Sequence, residues 1–141
     1  MKWSGFRSLL LVALVVAAVA GCAENPGTTP TPPVLTTETF TGTLANGAAT
    51  YFNFIGKSGN VTATLTALTP DTTLKMTMTL GVYDSYYLTC QPISGSDAVG
   101  VGNSVVGLAT ATTSLCVTIG DPAQVIPTGV TESFTIKVEH Y

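Results

Sequence analysis

Between Val61 and Ala67 apolar and hydroxyl side chains alternate strictly, with Val61, Ala63, Leu65 and Ala67 in one phase and Thr62, Thr64 and Thr66 in the other. A period of two puts these sets on opposite faces of an extended chain, whereas a helix would scatter both around its axis. The segment is therefore predicted to be a strand with one face in a core and the other in water. The pattern returns in Leu74, Met76, Met78, Leu80 and Val82, in Leu115, Val117 and Ile119, and in Phe134, Ile136 and Val138, each apolar set interleaved mainly with Thr, Ser, Lys or Glu. Five apolar side chains from Leu74 to Val82 on one face are read as core, not as a methionine-based metal or cofactor site. Thr39–Leu44 and Tyr51–Ile55 add two aromatic and β-branched runs, and Ser104–Thr110 is a further candidate strand. Ile93–Asn103 is rich in Gly and Ser and reads as a loop or an irregular strand. Turn signals at Asn46-Gly47, Gly56–Asn60, Thr69-Pro70-Asp71 and Gly120-Asp121-Pro122 separate the runs. Seven or eight short strands with no useful helical window predict an all-β antiparallel sandwich.

Such a surface is wetted by hydroxyls instead of ions. Only 9% of residues are charged, where roughly a quarter is usual, while the chain carries 25 threonines. Five Lys+Arg against eight Asp+Glu give a net charge of −3 with no basic cluster. That excludes nucleic-acid binding by phosphate neutralisation, and high-charge disorder is excluded as well.

The first residues read as an export address. Lys2 and Arg7 precede an unbroken apolar run from Leu9 to Ala20, too short for the ~20 residues that cross a bilayer and suited to the hydrophobic region of a signal peptide. Val19-Ala20-Gly21-Cys22 resembles the bacterial lipobox, in which the cysteine is linked to diacylglycerol, can gain an N-acyl chain, and becomes the first residue after cleavage. Two or three acyl chains anchor stably where one does so marginally. Ala23 lacks the aspartate associated with inner-membrane retention, so the expected address is the outer membrane in a Gram-negative cell and otherwise the extracellular face of the plasma membrane. The segment from Ala23 to Thr37 holds four prolines and no periodicity; in polyproline II it would reach at most roughly 45 Å at about 3.1 Å per residue. The expected organisation is a signal peptide over 1–21, a lipidated cysteine and Pro/Thr tether over 22–37, and a β-sandwich domain over 38–141. In an exported chain the remaining cysteines, Cys90 and Cys116, form an even pair with one possible connectivity, and a disulfide is expected.

Several segments together, namely Glu38-Thr39-Phe40-Thr41-Gly42-Thr43-Leu44, Tyr51-Phe52-Asn53-Phe54, Gly59-Asn60-Val61-Thr62-Ala63-Thr64-Leu65, Pro70-Asp71-Thr72-Thr73-Leu74 and Glu132-Ser133-Phe134-Thr135-Ile136-Lys137-Val138, resemble the bacterial pre-peptidase C-terminal domain. The resemblance covers about 100 residues. It implies a jelly-roll-like β-sandwich acting as a non-catalytic accessory or binding module. Leu115–Asp121 is similar to members found in small lipoproteins. Thr72 and Thr73 stand where members often carry a second acid beside the one matching Asp71, and no peptidase domain is attached, so neither a calcium set nor a protease-linked role carries over.

Catalytic constellations lack parts. The single histidine, His140, lies at the end of the sequence, where a frayed, solvated or simply satisfied side chain is expected, and Ser85, Ser94 and Ser104 sit in no nucleophile motif. Asp84, Asp97 and Asp121 fall in or beside turns, where aspartate bonds its own backbone. Asp71 and Asp121, with Asp84 as a further donor, are the candidates for a weak calcium site, although no short loop holds several acids. Tyr83-Asp84-Ser85-Tyr86-Tyr87 is the local candidate for recognition: three tyrosines around Asp84 suit a sugar ring, while tyrosine also packs at sheet edges. The expected function is a lipid-anchored, non-catalytic envelope module that binds another envelope protein or acts as a structural accessory; the alternatives are a carbohydrate-binding surface module using Tyr83–Tyr87 and, after it, a minor envelope enzyme.

Overall fold

The computed structural model describes residues 31–141; Cys22 and the leader expected before it lie outside them. Eight strands follow one another: β1 (Thr36–Ala45), β2 (Ala49–Gly56), β3 (Gly59–Thr69), β4 (Met76–Asp84), β5 (Thr89–Val99), β6 (Ser104–Ala109), β7 (Thr113–Gly120) and β8 (Thr131–His140). Antiparallel pairing joins β1 to β8, β2 to β7, β3 to β6 and β4 to β5. The first and last strands thus pair, then the next inward, as in one long hairpin folded on itself. Two further pairings, β3 with β8 and β4 with β7, complete two four-stranded sheets ordered β1-β8-β3-β6 and β2-β7-β4-β5. This is the eight-stranded jelly-roll order, an antiparallel sandwich of two four-stranded sheets.

The alternating phases decide what lies between the sheets. Val61, Ala63 and Leu65 from β3 meet Ile136 and Val138 from β8, and Met76, Met78, Leu80, Val117 and Ile119 face them from the other sheet; all are buried. Phe40 stacks on Phe52 with centroids 5.0 Å apart and seals the seam between β1 and β2. The threonines of the opposite phase are mostly half-buried or exposed.

Four local departures from the simple pattern have visible causes. β1 begins at Thr36, so the last two threonines of the expected tether already pair with His140 and Glu139. A bulge between Leu65 and Ala67 inserts one residue, so Leu68 replaces Ala67 in the core. Leu74 precedes β4, whose buried stripe is Met76, Met78 and Leu80, while Val82 is exposed near its end. The Gly/Ser-rich stretch continues as strand β5, and its irregularity takes the form of two register shifts against β4, at Met76/Met78 and Leu80/Gly81.

The register also sorts the loops between two ends of the sandwich. At one end lie the start of β1, the β2–β3 turn, the β4–β5 turn, the β6–β7 turn and the end of β8, since Thr36 pairs with His140, Gly59 with Ala109, and Ile55 with Ser114. Lys57 donates its N–H to the Tyr141 carbonyl and joins the two sheets there. The β1–β2, β3–β4, β5–β6 and β7–β8 connections lie at the opposite end.

Candidate functional site

The β4–β5 turn carries the candidate site read from the tyrosine segment. β4 stops at Asp84, whose Oδ1 accepts the N–H groups of Tyr86 at 2.9 Å and Tyr87 at 3.1 Å. This is the local bonding that makes aspartate a turn former, and it fixes the backbone of the tip. Tyr86, Tyr87 and Leu88 are 84%, 70% and 62% exposed. The two rings meet edge to face, 4.8 Å apart at 87°, the arrangement aromatic quadrupoles favour. Leu88 has φ = 53°, a left-handed conformation that costs a non-glycine residue roughly 1–2 kcal/mol. An exposed leucine in that conformation gains the fold little.

Tyr83 is still on β4 and packs against Tyr51 of β2, centroids 5.8 Å apart. The Tyr51 hydroxyl then donates to the Leu88 carbonyl oxygen at 3.0 Å and ties the tip to β2, across the intervening β7. Desolvation raises the Tyr83 phenol above its ordinary 10.0, with the Tyr51 side chain adding to the shift. Thus the tyrosine segment divides: Tyr83 packs, whereas Tyr86 and Tyr87 project. Tyr51 and Leu88 are additional members. Tyr51 was legible as the outward phase of the Tyr51–Ile55 run; Leu88 carries no periodic signal, because it lies between strands.

The disulfide between Cys90 and Cys116 is present. Their Cα atoms are 5.8 Å apart although β5 and β7 flank β4, a separation well below the ~9.6 Å of two strand spacings. The Leu80/Gly81 register shift brings β5 over β4. Gly81 makes room: a Cβ there would overlap the Gln91 carbonyl and lie 3.1 Å from Cys90 Sγ.

The acids occupy separate places. Asp121 is 1% exposed, and its carboxylate accepts N–H groups from Val125 at 2.7 Å, Ile126 at 3.0 Å and Gly47 at 3.3 Å. Asn46 Nδ2 reaches the Gln124 and Ile126 carbonyls beside it, so this constellation holds the β1–β2 turn against the β7–β8 loop. Asp71 Oδ1 accepts both the hydroxyl and the N–H of Thr73, at 2.7 and 2.8 Å, which lowers its carboxyl below the ordinary value. Asp84 stands at the other end of the sandwich from both, so the three calcium candidates are not brought together. Among the described residues no three His, Cys, Asp or Glu side chains are placed to hold a metal ion.

Glu132 and His140 are buried at the two ends of the β8 stripe. Glu132 Oε2 accepts the Asp71 N–H at 3.1 Å. His140 is satisfied instead of frayed: its Nε2 lies 2.9 Å from Glu38 Oε1, its Nδ1 lies 3.2 Å from the Tyr141 carbonyl, and its ring packs on Phe54. A small cleft between β5 and β6, bounded by Leu80, Ile93, Gly107 and Leu108, has wholly apolar walls and offers no acid, base or nucleophile. No family model matches the chain, and no curated protein matches it either.

Proposed function

We propose that this chain is an exported cell-envelope lipoprotein, anchored through acylated Cys22, whose jelly roll works by binding instead of catalysis. The address rests on the lipobox-like Val19-Ala20-Gly21-Cys22 behind a short apolar run. The observation that carries the binding role is the β4–β5 tip, where two exposed tyrosines are held by Asp84 and braced through Tyr51 before any ligand arrives. Such preorganisation lowers the ordering cost of association. The buried Asp121, Glu132 and His140 support the same reading, since each already has partners within the fold.

Intact-mass analysis of membrane-extracted protein tests the address: the mature chain carries diacyl mass, and Cys22→Ala removes it. A water-soluble mature chain without acyl mass overturns the anchor. For the tip, Tyr86→Ala and Tyr87→Ala abolish binding while leaving the unfolding transition in place. Retention of neutral envelope polysaccharide by the parent chain and its loss in these variants would identify a glycan as the ligand.

A further inference from the structure

We infer that the end of the sandwich carrying Tyr86, Tyr87 and Leu88 docks on the surface of a lipid bilayer. The inference rests on the reading of Cys22 as an anchor and extends it from a point of attachment to an orientation. β1 begins at this same end, so the chain from Cys22 enters the domain, fourteen residues after the anchor, at the end that carries the tip, on the opposite edge of the sandwich. A tether attached there draws this end toward the membrane and leaves the opposite loops facing away.

Exposed apolar side chains are distributed in keeping with that placement. Leu35, Ile55, Tyr86, Tyr87, Leu88 and Leu108 are exposed at the tether end, against Val101 and Val125 at the other. Tyrosine, with an apolar body and a polar hydroxyl, favours the membrane–water boundary, and an exposed leucine gains by entering it. Charge divides the opposite way. Among the described residues the tether half holds Lys57 and Lys137 against Glu38, Asp84 and Glu139, while the far half holds only Lys75 against Asp71, Asp97, Asp121 and Glu132. The larger acid excess is therefore turned away from the bilayer, where an anionic surface would repel it. A sugar could also use the exposed rings, but it accounts for neither the tether's point of entry nor the exposed Leu35, Ile55 and Leu108. The edge-to-face rings also present no flat two-ring platform.

The test uses the mature protein recovered from the envelope and reconstituted into phosphatidylcholine vesicles with brominated acyl chains. The only tryptophan, Trp3, falls in the expected leader, so Tyr87→Trp and Val101→Trp each provide a single indole reporter at opposite ends. The Tyr87→Trp variant is expected to lose most of its indole fluorescence and shift to the blue, with the Val101→Trp variant unchanged. Equal quenching in both variants, or in neither, overturns the docking. So does protection of the tip indole by soluble neutral polysaccharide in place of lipid, which would assign the tip to a glycan. Intact mass on the same sample separates the two readings: acylated protein with an unquenched tip indole refutes the docking alone. Unacylated protein whose tip indole is quenched on mixing refutes the anchor alone, and unacylated, unquenched protein refutes both. Matching thermal transitions for both variants exclude misfolding.

Discussion

Tyr51 and Leu88, from strand β2 and the β4–β5 turn, are joined by a 3.0 Å hydrogen bond from the phenol to the backbone carbonyl. The bond spans 37 positions of sequence and braces an exposed tip from β2, on the far side of β7. Tyr51→Phe removes the donor and keeps the ring packed on Tyr83. Global stability should fall by about 0.5–1.5 kcal/mol, while amide exchange at Tyr86, Tyr87 and Leu88 accelerates more than elsewhere. Unchanged exchange at those three amides would show that Asp84 alone holds the tip.

The same contact predicts a pH effect. The folded Tyr83 phenol titrates above 10.0, chiefly through desolvation and then through Tyr51. Both folded and unfolded states are neutral well below pH 10, so this contribution is fully present there. As pH rises the unfolded chain releases its proton first, and the contribution is lost as pH passes through the folded value. An ultraviolet titration should show one late-ionising tyrosine whose midpoint moves down in Tyr51→Phe. A midpoint that stays put would assign the shift to burial and the nearby Asp84 charge.

The Cys90–Cys116 disulfide spans 26 positions of sequence. Closing a loop of that length restricts the unfolded chain by about 3.5 kcal/mol in the chain-entropy treatment. Cys90→Ala with Cys116→Ala should therefore lower the urea-unfolding free energy by about that amount. Retention of parental stability by the double variant would mean that the reduced chain already holds β5 against β7.

Two glycines should respond oppositely to a methyl group. At Gly81 the added Cβ overlaps the Gln91 carbonyl, which is backbone and cannot swing aside; Gly81→Ala should cost about 1–3 kcal/mol. At Gly107 the nearest neighbour is Leu80 Cδ1 at 3.5 Å, an ordinary contact. Gly107→Ala should be neutral or add up to about 1 kcal/mol by restricting the unfolded chain. Equal effects in chemical denaturation would contradict the described course of β5 over β4.

The sandwich was legible because each long strand writes its burial into a period of two. Val61, Ala63 and Leu65 follow the phase read from sequence. The reading fails where one inserted residue changes the phase, as between Leu65 and Leu68, since the bulge depends on the partner β8. Glu132 and His140 stand in the inward phase of β8, but a polar side chain adds nothing to an apolar alternation, so the period of two does not announce their burial. Their burial is tolerated through partners at Asp71 and Glu38, 61 and 102 positions away in sequence, which no local pattern encodes. The tyrosine segment was visible as composition. Its division into a packed Tyr83 and projecting Tyr86 and Tyr87 depends on where β4 ends, and the brace from Tyr51 depends on the jelly-roll pairing.

Asp121 supplies the sharpest test of a purely architectural carboxylate. It is 1% exposed and accepts backbone N–H groups from Gly47, Val125 and Ile126, linking two loops that lie 74 positions apart in sequence. Asp121→Ala leaves those donors without their acceptor in a site with little water, at about 1–3 kcal/mol for each donor that stays buried. A total loss of about 3 kcal/mol is expected. Asp121→Asn preserves size but turns one acceptor oxygen into an NH2 group facing backbone donors, so shape alone cannot rescue it; a loss of about 2 kcal/mol is expected. Chemical denaturation gives these values, and amide exchange at Val125 and Ile126 should accelerate in both variants while exchange at Tyr86 and Tyr87, at the opposite end, does not. Parental stability in Asp121→Asn would show that the negative charge is dispensable, and calcium-dependent stabilisation of the parent but not of this variant would return Asp121 to the metal reading.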